Sequence, residues 1–238
     1  MTLLKIFNFN ALHFNKATAA GVVQGLTKLL LSINAAFIWG LCTPAQAATV
    51  PTAPSVILVV GDSLSAEYGL TRGTGWVALL EKQLVLEKRT AKVVNASISG
   101  DTTSGGKSRL ASLLTRHQPT VVVIELGGND ALRGLPLEMT EKNLNEMVHA
   151  ALDGGAKVLL LGMQVPPNYG TAYSARFAQA FSNVSAERKV PLVPFFLKGI
   201  ADVPNPAAQF QADLIHPNSQ AQPKMLANVW PALKKLIP

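Results

Sequence analysis

The sequence predicts an α/β fold of three layers, in which a central five-stranded parallel sheet is covered by helices on both faces. Short apolar runs alternate with helical patterns of apolar residues along the chain, which is typical of a parallel sheet. The predicted strands are continuously apolar, as strands covered on both faces require. The chain has 238 residues, 48% of them hydrophobic, which suits one domain with a sizeable core.

Each element can be assigned from the order of these patterns. Five apolar runs predict strands, at residues 55–60, 92–97, 121–126, 158–161 and 191–195. Apolar residues at helical spacing predict four helices between the strands, around residues 76–85, 110–114, 144–151 and 177–184. A last helix is expected at about 220–237.

The first 47 residues differ from the rest and predict a secretory signal. They contain three lysines and no acid, then an apolar run at residues 29–41, then Ala45-Gln46-Ala47. The apolar run is shorter than the roughly 20 residues of a membrane span, so an uncleaved anchor is the less favoured alternative. We therefore expect cleavage before Ala48, a single domain at residues 48–238, a periplasmic or secreted location, and no stable membrane insertion after cleavage.

Composition excludes several kinds of site from that domain. The only cysteine, Cys42, lies in the predicted signal, so the domain has no disulfide, thiol nucleophile or thiolate metal site. Removing three lysines leaves 18 basic residues against 14 acidic ones, without a basic run that nucleic acid would require. Three isolated histidines have no metal-ligand spacing. We expect no metal, no cofactor, no nucleic-acid partner and a monomer.

Small or polar residues follow each of the first three strands. They are Gly61-Asp62-Ser63, Ser99-Gly100-Asp101 and Gly127-Gly128-Asn129-Asp130. In parallel sheets, ligands bind outside the carboxyl ends of the strands, so these residues should share one edge. Each segment taken alone is also ordinary turn chemistry, and a serine after a strand often caps a helix.

A serine nucleophile needs a base, and His216 is the best placed histidine. Asp213, three residues earlier, can hold one ring nitrogen while the other faces Ser63. His117 ends a predicted helix at the opposite edge, and His149 lies within a helix. Asp-x-x-His alone is a weak pattern, because Asp and Pro near a histidine often only form turns.

A tetrahedral intermediate also needs donors for its oxyanion. The backbone N–H groups of Gly100 and Ser63 and the side-chain amide of Asn129 could supply them. Each residue singly is as well explained by a turn. Together they place all required groups at one edge.

These motifs resemble the SGNH, or GDSL, hydrolases. "GDSLS", "NASISGDTTSGG", "ELGGNDALRG" and "DLIHPN" match the four family blocks in order, nearly throughout residues 48–238. The resemblance implies Ser63 as nucleophile, Gly100 and Asn129 as oxyanion donors, and Asp213 and His216 as the rest of a triad, on a flavodoxin-like fold. It is closest to bacterial periplasmic enzymes described as thioesterase I, protease I, lysophospholipase or arylesterase. It therefore implies hydrolysis of acyl esters and thioesters through an acyl-enzyme.

Three alternatives remain at this stage. A carbohydrate deacetylase on the same fold is the nearest. The segment from Asp101 to Ser108, "DTTSGGKS", differs at one position from the phosphate-binding loop pattern of nucleotide-binding proteins, because Asp101 stands where that pattern has glycine. A nucleotide-binding protein would also need an acid after an apolar strand, and only Glu125 could serve as that acid. A non-catalytic carbohydrate- or lipid-binding module on the same sheet would leave the Ser–His–Asp set unexplained.

The segment after Asn129 suggests the substrate. Leu132 and Leu135 lie in an expected loop that begins at a proposed oxyanion donor, so we expect them to line an acyl chain, whereas Leu137 is expected to pin the loop to the core. An apolar rim favours a small-molecule acyl ester or thioester. Glu67 stands where the subgroup that this sequence resembles usually has a small residue. We therefore expect the substrate contacts near Ser63 to differ from those of that subgroup.

Overall fold

The computed structural model describes residues 54–238. Within that range five strands form one parallel sheet in the order β2-β1-β3-β4-β5, which confirms the predicted fold class and the flavodoxin-like strand order. The strands are β1 (Ser55–Gly61), β2 (Ala91–Asn95), β3 (Val121–Glu125), β4 (Lys157–Leu161) and β5 (Leu192–Val193). The predicted signal at residues 1–47 lies outside the described residues.

Helices cover both faces of this sheet. They are α1 (Trp76–Leu86), α2 (Thr103–His117), α3 (Gly128–Leu132), α4 (Leu137–Asp153), α5 (Thr171–Arg188) and α6 (Gln222–Leu233). Two 3₁₀ turns, Pro167–Tyr169 and Pro206–Gln209, lie before α5 and before the last loop. Helix α4 packs between α2 and α5, and α1 packs against α6. Right-handed connections place these two groups on opposite faces, giving the three layers.

The central strands are buried on both faces. The four residues from Ile57 to Val60 and the four from Val121 to Ile124 have no exposed surface. Their β-branched and leucine side chains pack against large buried side chains from the helices: Trp76, Leu144, Phe177 and Phe181. The carboxyl ends of β1, β2 and β3 therefore share one edge of a rigid sheet.

Several expected boundaries are wrong, each for a local reason. Strand β2 ends at Asn95 rather than 97, because the Asn95 side chain accepts from Ser97 N and donates to Ser65 O. Strand β5 is shorter than expected because Pro191 and Pro194, on either side of it, have no N–H to donate. Helix α6 ends at Leu233 because the next backbone hydrogen bonds span three residues, as in Lys235 N to Ala232 O.

The expected loop after β3 is instead partly helical. Residues Gly128–Leu132 form α3, which begins after Gly127. Gly127 has a φ of 117°, a backbone conformation that glycine adopts readily and other residues rarely do. A Cβ at Gly127 would also lie 3.1 Å from the Phe181 ring. The composition of Gly127-Gly128-Asn129-Asp130 is that of a turn, which hid this helix. Asn129 is therefore held on a helical turn.

Candidate active site

The turn after β1 presents Ser63 at the edge of the sheet. Ser65 N and Ala66 N both donate to Asp62 O, at 3.2 and 2.9 Å, which folds the chain tightly around Ser63. A Cβ at Gly61 would lie 2.7 Å from Glu125 Oε2 and 2.8 Å from Ser65 Oγ, so only glycine fits where the strand ends. Ser63 itself is half-buried. The backbone on both sides of Ser63 is thus fixed.

Asp213 and His216 form one compact loop before α6. Asp213 Oδ1 accepts hydrogen bonds from Ile215 N and His216 N, both at 3.0 Å, and Oδ2 lies 2.7 Å from His216 Nδ1. Leu214 between them has a φ of 56°, in the left-handed region. The His216 N–H, the Ile215 N–H and the imidazole, in that order, lower the pKa of Asp213 to about 2. The carboxylate is therefore ionised wherever the imidazole could act as a base.

His216 and Ser63, the expected base and nucleophile, meet across the sheet edge. His216 Nε2 lies 2.9 Å from Ser63 Oγ, although 153 residues separate them in sequence. The Tyr68 ring centroid lies 4.3 Å from that of His216. Gln211 joins the two loops, because its N donates to His216 O and its Nε2 donates to Tyr68 O, both at 2.8 Å. Nothing in the sequence singled out Tyr68 or Gln211, since both lie in loops.

The expected oxyanion donors lie in the neighbouring segments. Gly100 has a φ of 78°, in the left-handed region that favours glycine. Asn129 Nδ2 donates to Asp62 Oδ2 at 3.0 Å, which uses one of its two amide hydrogens and leaves the other for a ligand. Asp62 Oδ1 in turn accepts from Leu64 N at 3.0 Å. The Asp62 carboxylate thus links the turn that carries Ser63 to Asn129.

Two buried acids lie beneath the serine turn. Ser65 Oγ donates to Glu125 Oε2 at 2.7 Å and accepts from Trp76 Nε1 at 3.1 Å. Burial, and then the charge of Asp62, raise the pKa of Glu125 well above its ordinary value. Burial raises the pKa of Asp62 to about 6. Ser65 is therefore a structural serine, and Glu125 is a core acid at the end of β3.

The leucines after Asn129 have different environments. Leu132 is 43% exposed, Leu135 is half-buried, and Leu137 is buried with 7% exposed, as expected for the residue that pins this segment. Between the first two, Arg133 Nη2 donates to Gly100 O at 2.9 Å. Leu132 and Leu135 therefore belong to a segment that contacts the Gly100 loop.

The remaining candidates lie elsewhere or have structural partners. Glu67 accepts from Gly73 N and Gly75 N, at 3.0 and 2.8 Å, so its carboxylate closes a local loop. His117 ends α2 at the opposite edge of the sheet, and His149 faces Asp153 at 3.3 Å within α4. The structure brings neither histidine to Ser63.

The phosphate-loop pattern has no phosphate cradle. Thr102 Oγ1 accepts from Gly105 N, Lys107 Nζ lies 3.0 Å from Glu146 Oε2, and Ser108 Oγ donates to Gly105 O. These groups start and brace α2. Within residues 54–238 no cluster of three His, Cys, Asp or Glu side chains could hold a metal ion, and no helix there is long and apolar enough to cross a membrane.

Comparison with known families and sequences gives one consistent assignment. Residues 59–222 match a family model described as "GDSL-like Lipase/Acylhydrolase family". The chain is 52% identical over 189 residues to "Esterase TesA" of Pseudomonas aeruginosa, covering 79% of this chain and 92% of that protein. It is 42% identical over 171 residues to "Thioesterase 1/protease 1/lysophospholipase L1" of Escherichia coli K12, covering 72% and 79%. It is 41% identical over 167 residues to "Arylesterase" of Vibrio mimicus, covering 70% and 82%.

Solved structures agree with this assignment. A crystal structure of TesA matches with a TM-score of 0.74 and 53% identity, covering 76% of this chain and 99% of the other. The psychrotrophic esterase EstA from Pseudoalteromonas sp., inhibited by monoethylphosphonate in its structure, matches with a TM-score of 0.71 and 39% identity, covering 76% and 97%. An acetylxylan esterase from Geobacillus stearothermophilus, at 19% identity and a TM-score of 0.65, shares the fold alone.

Proposed function

This chain belongs to the GDSL-like lipase/acylhydrolase family, and from that premise we propose that Ser63, His216 and Asp213 carry out its hydrolysis of acyl esters and thioesters. The observation that supports this assignment best is the continuous line of contacts from nucleophile to base to acid. Ser63 Oγ lies 2.9 Å from His216 Nε2, and His216 Nδ1 lies 2.7 Å from Asp213 Oδ2. That is the order in which a serine hydrolase needs them.

In the acylation step, Ser63 Oγ attacks the substrate carbonyl carbon while its proton moves to His216 Nε2. The new C–O bond gives a tetrahedral intermediate with a negative oxygen, and the ionised Asp213 stabilises the imidazolium that forms. The bond to the leaving oxygen or sulfur then breaks, and His216 returns the proton to that leaving group. Ser63 is left as an acyl ester.

Water completes the cycle by the same route. His216 removes a proton from the attacking water, whose oxygen bonds to the acyl carbon, and then returns a proton to Ser63 Oγ as the carboxylic acid leaves. The Tyr68 ring lies beside the His216 ring, and Gln211 joins the backbone of His216 to that of Tyr68, which favours a fixed position for the imidazole in both steps.

The oxyanion in both steps is assigned to the N–H groups of Ser63 and Gly100 and to the free amide hydrogen of Asn129. Such donors act because they are fixed before charge develops, so they need no reorganisation in the transition state. Asp62 supports this assignment by holding the Asn129 amide at 3.0 Å.

The proposed substrates are aryl esters, acyl-CoA thioesters and lysophospholipids. The relatives named esterase, arylesterase and thioesterase 1/protease 1/lysophospholipase L1 support this range. The exposed Leu132 and half-buried Leu135, proposed to contact the acyl chain, favour it over a sugar acetate. The acetylxylan esterase structure shares only the fold with this chain, at 19% identity, so it gives the deacetylase alternative no support.

The decisive experiment is covalent labelling. Purified protein is incubated with a fluorophosphonate, and the adduct is located by peptide mass spectrometry. Labelling of Ser63, with loss of ester hydrolysis in Ser63→Ala and His216→Ala but not in His149→Ala, is the expected result. Labelling of Ser65 or of no serine would reject the mechanism.

For location, we propose export to the periplasm or the exterior through residues 1–47, with a domain of residues 48–238 that acts as a monomer. The arrangement of lysines, apolar run and Ala45-Gln46-Ala47 supports export.

A further inference from the structure

Arg133 lies beside the backbone of a proposed oxyanion donor. Its Nη2 donates to Gly100 O at 2.9 Å, and its own N donates to Asn129 O at 3.2 Å. Arg133 therefore joins the Gly100 loop to the end of α3, which carries Asn129. The guanidinium therefore contacts the backbone of a residue proposed to stabilise the oxyanion.

The positive charge of Arg133 has no carboxylate partner among residues 54–238. Four arginines in that range form ion pairs, Arg89, Arg109, Arg176 and Arg188, and Arg133 is not among them. Asp101, next to Gly100, is engaged by Arg109 at 2.8 Å. A guanidinium has five N–H donors, and the contact with Gly100 O uses one. The rest of this exposed group is available to a ligand.

Exposed apolar residues occur in both segments that Arg133 joins. Leu132, next to Arg133 in sequence, is 43% exposed, and Ile98, two residues before Gly100, is 52% exposed. A fixed cation with apolar neighbours suits an amphiphile better than a wholly polar ligand.

We propose that Arg133 forms an anion subsite that binds the phosphate of a lysophospholipid while its acyl ester lies at Ser63. This inference rests on the proposed function. In such a lipid only the glycerol carbons and one oxygen separate the ester oxygen from the phosphorus, so the phosphate reaches a group close to the oxyanion donors. A guanidinium binds phosphate oxygens in pairs, which fixes the position of the headgroup. The phosphates of an acyl-CoA lie much farther from its thioester, so this subsite selects among the proposed substrates.

The test compares two substrates with the same acyl chain. The value of kcat/KM is measured for a lysophosphatidic acid and for the monoacylglycerol that lacks only the phosphate, with wild type and with Arg133→Gln. The ratio of the first to the second should fall by about tenfold in the variant, the loss expected for one exposed charged hydrogen bond. Arg133→Lys should lose less of the ratio than Arg133→Gln.

A matched control is Arg116→Gln. Arg116 is an exposed arginine in the last turn of α2, at the opposite edge of the sheet, and its substitution should leave the ratio unchanged. Inhibition of monoacylglycerol hydrolysis by glycerol 3-phosphate, but not by inorganic phosphate at the same concentration, would assign the subsite to the lipid headgroup. Inhibition by both would assign it to phosphate from either source.

Three outcomes overturn the proposal. An equal loss of kcat/KM on both substrates would show that Arg133 only holds the Gly100 backbone in place. An unchanged ratio would give it no role in selection. If the wild-type enzyme hydrolyses the monoacylglycerol but not the lysophosphatidic acid, the phosphate is not a ligand of Arg133, although the triad assignment is unaffected. Failure of the proposed function is a different result, because neither substrate would then be hydrolysed through Ser63.

Discussion

The Asp62 carboxylate accepts a hydrogen bond from the Asn129 side-chain amide, with 3.0 Å between Oδ2 and Nδ2. Asp62 precedes the proposed nucleophile, and 67 residues separate it from Asn129 in sequence. The other Asp62 oxygen holds Leu64 N, so one buried carboxylate fixes both sides of the proposed oxyanion site.

Asn129→Ala should lower kcat for an aryl ester by a factor of ~10²–10³, because loss of one oxyanion donor costs ~2.7–4 kcal/mol in the transition state. Steady-state kinetics on the folded variant measures this. Asn183→Ala, on the exposed surface of α5, is the matched control and should match wild type. Activity of Asn129→Ala within tenfold of wild type would move Asn129 to a purely structural role.

Asp62 should give stability a particular pH dependence. Burial raises its pKa from 3.8 to about 6, so the folded protein holds a proton there that the unfolded chain releases. The contribution of Asp62 to the free energy of unfolding should therefore be full below about pH 4 and fall as pH rises to about 6. The fall should be at most about 3 kcal/mol. Urea unfolding of wild type and Asp62→Asn at each pH measures it.

The difference in unfolding free energy between wild type and Asp62→Asn should show the same pH dependence. Wild type should lose stability relative to Asp62→Asn between about pH 4 and pH 6, and the difference should be constant above that window. Parallel stability curves across the window would contradict the buried, proton-holding Asp62.

Ser63→Ala and Ser65→Ala should have opposite effects. Ser65→Ala removes the partner of both Glu125 and Trp76 in the core, so the free energy of unfolding should fall by about 1–3 kcal/mol while most turnover remains. Ser63→Ala should abolish turnover with little change in unfolding. Loss of turnover in Ser65→Ala at unchanged stability would show that the two serines have been assigned in the wrong order.

Leu132→Ser combined with Leu135→Ser should lower kcat/KM for an octanoyl ester much more than for an acetyl ester. Each methylene buried against these leucines contributes ~0.8 kcal/mol, so longer chains lose more. Leu152→Ser, an exposed leucine near the end of α4, is the control. An equal loss on both esters would defeat the acyl-chain assignment without affecting the triad.

The mature protein should begin at Ala48. N-terminal sequencing of protein recovered from cell fractions of the native host measures this, and the periplasmic or secreted fraction should contain the shortened chain. Recovery of a chain that begins at residue 1 would refute cleavage.

The strands and the pairing of Asp213 with His216 were accessible from sequence because their signals are local. Runs such as Val121–Val123 are apolar at every position, which only a doubly covered strand explains, and Asp213 lies three residues from His216. Parallel topology then brings the ends of β1, β2 and β3 to one edge without further information.

The supporting contacts were not accessible in this way. The bond from Ser65 to Glu125 spans 60 residues, and that from Asp62 to Asn129 spans 67, so neither leaves a spacing to detect. These contacts matter because the groups are buried, and the sequence of a strand-end motif does not show whether its serine or acid is buried. Helix α3 was hidden for a different reason, because its glycines, asparagine and aspartate favour turns.

The close pairing of Asp213 with His216 separates two tasks that a hydrolase must perform. The groups proposed for proton transfer lie in one tight loop, whose carboxylate is held by the backbone N–H groups of that loop. The surfaces proposed to meet the substrate come instead from the Gly100 loop and from the segment around Arg133. Substitutions in those surfaces can therefore change which ester is accepted without changing the contacts of His216 with Asp213. Such a scaffold can diversify in substrate while it keeps one unaltered chemical step.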